Sequence, residues 1–271
     1  MSVKLGVIGG GVMGSAIVSR LLTQGTYQST DIIISEPTLS QQASLHQQYG
    51  VEVTGDNNLA AMAPVLLLAI KPQIFERVVA DLKQPNPSQL VISILAGVSI
   101  AQLERAFPDR AVIRAMPNTP ALIGQGMTGV FARPATSGED RALVVQLLAP
   151  TGELLWVDTE INLDAVTAMS GSGPAYVFYF IEAMTEAGVE MGLPADQAQR
   201  LAIGTFTGAS ALAKGATEAP SVLRQRVTSK GGTTYAAITS LETADVKAQF
   251  KTAIRAAQKR AAELGEEFGN S

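Results

Sequence analysis

The 271 residues are 46% apolar and 16% charged, with a formal net charge of −4 and no cysteine. Such a chain can bury one large core or two medium ones, shows no basic excess for nucleic acid, and excludes disulfides, thiolate chemistry and cysteine-ligated metals. The single histidine, His46, also excludes metal sites built on several imidazoles, so no metal is expected, and a Ser-His-Asp triad would have to use that one residue.

From the start, Met1-Ser2-Val3-Lys4 runs straight into a strand pattern over Lys4–Ile8, unlike a secretory leader. The apolar run Val65–Ile70 is far shorter than the ~20 residues of a membrane span, so a cytoplasmic protein with no membrane partner is expected. Further strand patterns follow at Asp31–Ser35, Val51–Thr54, Val65–Ile70, Leu90–Leu95, Ala111–Ala115, Thr128–Ala132 and Leu154–Val157. Between them, the polar stretch Leu39–Tyr49 reads as a surface helix carrying a solvated His46, and Ile74, Val78 and Leu82 recur at helical spacing. Ser99 with Gln102 forms a capping box ahead of Leu103 and Phe107, and Ser137 precedes an acidic turn and the stripe Leu143, Leu147. Strands alternating with helices predict βαβ units and a mainly parallel sheet.

After Asp158 the β pattern stops. Asn162–Met169, Ala175–Met191, Ala195–Lys214, Ser221–Val227 and Thr234–Phe268 read as helices. Gly188, Gly192, Gly204, Gly208 and Gly215 among small residues predict close helix packing. Tyr176, Phe178, Tyr179 and Phe180 make the first long helix apolar on several faces, which favours a homodimer or larger homo-oligomer over burial in so small a domain. The predicted fold is α/β: a Rossmann-type domain with a mainly parallel sheet over residues 1–158, then an all-helical domain over 159–271 for substrate binding and dimerisation.

The first strand leads into Gly9-x-Gly11-x-x-Gly14 and a helix beginning near Val12, with Ile17 and Leu21 at helical spacing. Gly9 permits the tight turn, Gly11 lets backbone approach a pyrophosphate, and Gly14 lets helix and strand meet closely. An ordinary glycine-rich turn would not need this context. The arrangement predicts a dinucleotide on Ile8, Gly9, Gly10, Gly11, Val12 and Met13, with N–H groups at the helix start facing phosphate. Ser35-Glu36 ends the second strand, where an acidic group accepts from ribose hydroxyls and repels a 2′-phosphate. No Lys or Arg lies between Gly25 and Gly50. Local charge thus leans to NADH, while Ser35, Thr38 and Ser40 could still donate to the phosphate of NADPH.

Three further constellations stand out. Ala69-Ile70-Lys71-Pro72 ends the fourth strand, at the carboxyl edge where open α/β sheets bind ligands. Lys71 there either contacts cofactor or substrate or is a snorkelling strand-end lysine. Arg114-Ala115-Met116-Pro117-Asn118-Thr119-Pro120 is a proline-stiffened loop that offers the Asn118 amide, or else a plain Pro-bounded loop. Ser229-Lys230-Gly231-Gly232-Thr233-Thr234 precedes the final helix pattern, with backbone freedom, hydroxyls and helix-start N–H groups suited to a carboxylate. A turn with Thr as a simple N-cap would need only one of those features.

These segments, together with Ala96-Gly97-Val98 and Ser170-Gly171-Ser172-Gly173-Pro174-Ala175-Tyr176, resemble the pyrroline-5-carboxylate reductase family over essentially the whole chain. The resemblance implies NAD(P)H-dependent reduction of 1-pyrroline-5-carboxylate to L-proline, the last step of proline synthesis, by a homo-oligomer joined through its helical domains. It implies that Thr234 hydrogen-bonds the ring nitrogen, that Ser229 stands near the substrate carboxylate, and that Gly231, Gly232 and Thr233 cradle it. It also implies cofactor contacts for Asn57, Ala69, Lys71, Pro72, Ala96 and Gly97, with Asn118 shaping the nicotinamide pocket. Two positions depart from the family pattern: Lys230 stands where proline is usual, and Glu36 where many members carry a small polar residue.

Imine reduction needs little acid catalysis, because a protonated C=N is already electrophilic; the task is to set nicotinamide C4 against the imine carbon and exclude water. A 3-hydroxyacid dehydrogenase would need a lysine on the helix after Gly171-Ser172-Gly173, and Pro174-Ala175-Tyr176-Val177 offers none. A non-catalytic nucleotide sensor would have no need of Ser229, Thr233 and Thr234 together.

Overall fold

All eight strand patterns become strands of one sheet: β1 (Leu5–Ile8), β2 (Ile32–Ser35), β3 (Glu52–Thr54), β4 (Val65–Leu68), β5 (Leu90–Ser93), β6 (Ala111–Met116), β7 (Gly126–Ala132) and β8 (Gly152–Trp156). The computed structural model describes residues 3–83 and 88–269, so Met1 and Ser2 of the opening tetrapeptide and the last two residues of the expected helical domain lie outside the described residues. The strand order is β3-β2-β1-β4-β5-β6-β7-β8, parallel throughout except where β6 meets β7. The chain starts at β1, moves out to β3, then crosses back to β4 on the other side of β1. The register sets Ile8 beside both Ser35 and Leu68, so the turns after β1, β2 and β4 open onto one crevice. Ligands of open α/β sheets sit at such a reversal.

Strands in this sheet are apolar on both faces because both faces are covered. Leu5, Val7, Ile32, Ile34 and Leu67 bury against Ile17, Val18 and Leu21 of α1 (Val12–Thr23) and Val144 and Leu147 of α6 (Gly138–Leu148). On the other face Ile8, Ile33, Leu66, Leu68 and Val91 join Ala60 of α3 (Asn57–Ala60), Phe75 of α4 (Phe75–Ala80), Leu103 of α5 (Ile100–Ala106) and Leu163 of α7 (Asn162–Val166). The surface helix α2 (Leu39–Tyr49) buries only Leu45; exposed His46 places Nδ1 2.9 Å from the Val51 carbonyl. The capping box of α5 forms in full: Ser99 N–H donates to Gln102 Oε1 at 2.8 Å and Gln102 N–H to Ser99 Oγ at 3.2 Å. Leu82 is buried as its spacing suggests, but α4 ends before it.

The helical half contains α8 (Gly173–Glu190), α9 (Ala195–Gly215), α10 (Pro220–Arg226), α11 (Thr233–Thr243) and α12 (Val246–Gly269). Three expectations need correction. The segment Asn162–Met169 is α-helical only to Val166 and continues as a π-helical turn over Thr167–Gly171; the Thr167 and Ser170 hydroxyls bond back to the carbonyls of Leu163 and Val166. The single helix expected over Thr234–Phe268 breaks at Ala244-Asp245, where Asp245 takes φ 53°, a left-handed conformation that its short polar side chain tolerates. The Asp245 carbonyl then accepts from the N–H groups of Ala248 and Gln249 and starts α12. Of the five glycines, Gly192 lies in the turn between α8 and α9, and within the chain only Gly188 meets a close neighbour, since a Cβ there would lie 2.8 Å from Ala198 Cβ; nothing of the same chain lies within 4 Å of a Cβ on Gly192, Gly204, Gly208 or Gly215.

By its contacts the chain forms two compact units. One comprises everything up to Ser172 together with the residues from Ala257 onward; the other is Gly173–Ala256. The expected division at 158/159 follows the last strand, whereas the compact unit around the sheet also takes in α7 and the later part of α12, where Ala261 is buried. Among the described residues no helix is long and apolar enough to cross a membrane.

Candidate active site

The glycine turn has the geometry its spacing predicts. Gly9 takes φ +107°, and a Cβ there would lie 2.5 Å from the Ala69 carbonyl oxygen. A Cβ on Gly14 would lie 2.4 Å from the Gly9 carbonyl, so α1 sits against the turn only because both residues lack one. Gly11 is different: nothing lies within 4 Å of its missing Cβ. It is the N-cap of α1, and no side chain caps the helix, which leaves first-turn N–H groups facing open space. That cradle, with no side chain intruding, fits a pyrophosphate.

Around it the expected nucleotide residues gather at the carboxyl ends of successive strands: Ser35-Glu36 after β2, Asn57 after β3, Ala69 to Pro72 after β4, Ala96-Gly97 after β5 and Asn118 after β6. Lys71 is exposed at the start of a 3-10 turn over Pro72–Ile74, and Gly97 takes φ +79°. The Glu36 carboxylate folds back on the glycine turn, accepting from Gly10 N–H at 3.2 Å and Thr38 N–H at 3.1 Å. The Ser35 side chain, expected at the nucleotide, is buried and donates to Asn57 Oδ1 at 2.7 Å. Sequence reasoning missed Ser15 and Gln41, whose side chains donate to the Gly10 carbonyl at 3.0 and 3.1 Å, and Gln42, which donates to the Glu36 carbonyl at 2.6 Å. A polar surface helix gives no signal of which amides reach inward.

Asn118 braces the rim. Its Nδ2 donates to the Ser170 carbonyl at 3.0 Å and its Oδ1 accepts from Met127 N–H at 2.9 Å, with 9% of the residue exposed. The amide expected to shape the nicotinamide pocket thus ties three backbone segments together. Buried Arg114 pairs with Glu160 at 2.5 Å, and the same Glu160 oxygen accepts from Ile100 N–H at 2.6 Å, locking β6 to the start of α5. Beside them burial pushes the Asp164 carboxyl above its ordinary value; the nearby Arg114 charge works against that shift and Glu160 adds to it.

The second candidate turn lies in the helical unit. Gly231 takes φ +76°, and Gly232 N–H bonds to the Ser229 carbonyl at 3.0 Å. A Cβ on Gly232 would lie 2.7 Å from Ser229 Oγ, so glycine allows the hydroxyl to lie over the helix entrance. Gly232 is the N-cap of α11, and again no side chain caps the helix. Thr233 is exposed and Thr234 half-buried in that first turn. The turn precedes the short α11, not a long last helix. Lys230 and Tyr235 line a neighbouring hollow with Arg224 and Glu242, which pair at 3.4 Å. Hydroxyls, free N–H groups and a positive helix end together suit a small carboxylate.

A family model described as pyrroline-5-carboxylate reductase dimerisation matches residues 160–264, and one described as NADP oxidoreductase, coenzyme F420-dependent, matches residues 4–97. The pyrroline-5-carboxylate reductase of Synechocystis is 45% identical over 266 residues, covering 98% of this chain and 99% of that protein. Among solved structures, the Coxiella burnetii pyrroline-5-carboxylate reductase aligns with a TM-score of 0.88 at 35% identity, over 97% of this chain and 98% of that one. Plasmodium falciparum pyrroline carboxylate reductase, solved with NADP bound, aligns with a TM-score of 0.88 at 28% identity over the same shares.

Proposed function

The chain belongs to the pyrroline-5-carboxylate reductase family, and on that premise we propose how its residues divide the reaction between them. It is an NAD(P)-dependent oxidoreductase that reduces the C=N bond of 1-pyrroline-5-carboxylate to give L-proline. When bound, the nicotinamide supplies the hydride. Residues 1–158 hold the nucleotide: Ile8 to Met13 face the pyrophosphate, Glu36 and Asn57 the adenosine end, and Ala69, Lys71, Pro72, Ala96 and Gly97 the nicotinamide half. Ser35 acts through Asn57, and Asn118 by holding the rim in place. Residues 159–271 bind the substrate and pair two or more copies of the chain in the cytoplasm.

Thr234 Oγ1 holds the ring nitrogen and its proton, while Ser229, Gly231, Gly232 and Thr233 hold the carboxylate. The observation that carries this reading is the uncapped first turn of α11, entered through two glycines with Ser229 Oγ over it. No histidine or cysteine is required, because fixing the ring and excluding water does most of what imine reduction needs. The test is a comparison of Thr234→Ala and Thr234→Ser with wild type. Ala is expected to lower kcat/KM for pyrroline-5-carboxylate about tenfold to a hundredfold, Ser to restore part of it, and neither to change nucleotide affinity. Full activity of the Ala variant with an unchanged KM would remove Thr234 from the role.

A further inference from the structure

We infer that Glu36 makes this enzyme select NADH over NADPH. The inference rests on the nucleotide site proposed above and names which nucleotide that site takes. The carboxylate does not hang free in solvent. Its backbone is pinned at both ends, Glu36 N–H to the Thr54 carbonyl at 2.9 Å and the Glu36 carbonyl to Gln42 Nε2 at 2.6 Å. One oxygen accepts from Gly10 in the phosphate turn and the other from Thr38, just before α2. This is the end of the second strand, where a doubly wound sheet presents an acidic group to the adenosine ribose.

Two consequences follow from that geometry. Each carboxylate oxygen has taken one N–H and keeps a further lone pair, so the group can still accept from ribose hydroxyls. A 2′-phosphate, carrying roughly −1.5 to −2 charges, would meet a fixed negative charge where a binding site needs donors. Three of the donors a phosphate would seek are engaged, Gly10 and Thr38 N–H on Glu36 itself and the Ser35 hydroxyl on Asn57, which leaves it the neutral hydroxyls of exposed Thr38 and Ser40 beside a negative charge. Nor does the segment from β2 through α2 bring a cation, since no Lys or Arg lies between Gly25 and Gly50.

The test is direct titration of the intact protein with NADH and with NADPH, followed by calorimetry or nucleotide fluorescence, so that binding is read without turnover. Wild type is expected to bind NADH about tenfold or more tightly than NADPH. Glu36→Gln, which keeps the shape and removes the charge, is expected to shrink that ratio at least severalfold, chiefly by tightening NADPH; Glu36→Ser serves as the second variant should Gln disturb the turn. Equal or tighter NADPH binding by wild type, or a ratio untouched in both variants, overturns the inference and leaves the nucleotide site standing. Failure of either nucleotide to bind overturns the site and the inference together.

Discussion

At the scale of single residues, the glycine that precedes α1 and the one in its first turn make opposite demands. Gly11→Ala adds a Cβ into open space at an ordinary φ of −71°, so stability should hold while NADH binding weakens about tenfold or more, because the methyl occupies room the pyrophosphate needs. Gly14→Ala drives a Cβ to 2.4 Å from a carbonyl oxygen and should cost about 1–3 kcal/mol, read as a fall in Tm in nucleotide-free protein. Equal Tm losses in the two variants would contradict this division. Asp164 allows a pH test. Burial raises its folded-state pKa above the unfolded one, so the native state holds its proton longer, and stability falls as pH rises from the ordinary carboxylate range through the raised value. Asp164→Asn should therefore be stabilising in urea unfolding at pH 7 and without effect at a pH below the ordinary carboxylate range. A gain of the same size at both pH values would sink that account.

Secondary-structure elements carry the next set of consequences. Ser99→Ala removes the acceptor for Gln102 N–H from the capping box of α5 and should cost about 1 kcal/mol, measured by denaturant midpoint at constant m. That box was legible in the chain itself, as were the eight strands, because a sheet covered on both faces writes short unbroken apolar runs such as Val65–Leu68. The glycine turn was legible for the same kind of reason: its spacing is set by backbone clearances, and the distances around Gly9 and Gly14 are those clearances. What could not be read was where a polar side chain spends its hydrogen bonds. Ser35 and Asn118 resemble ligand donors until the partners from distant segments, Asn57, Met127 and Ser170, arrive beside them. The break before α12 was equally hidden. Thr243-Ala244-Asp245 contains neither Gly nor Pro, and the apolar spacing on either side continues as though the helix did.

For the whole molecule, α8 exposes Phe178 and Tyr179 to 65% and 67%, while Tyr176 and Phe180 stack edge-on against Phe250 with ring centroids 5.8 and 5.4 Å away. Burying the exposed pair against a second copy is the reading that the dimerisation match over residues 160–264 supports. Phe178→Glu with Tyr179→Glu should shift the sedimentation coefficient to that of a single chain while nucleotide binding persists, and an unchanged coefficient would mean that the copies meet elsewhere. The residues beyond Ala256 add one more constraint. They belong with the sheet yet are translated after the entire helical unit, so on the ribosome the first 172 residues emerge long before their final piece exists. The unit that holds the sheet is therefore the first to begin and the last to have its whole chain available.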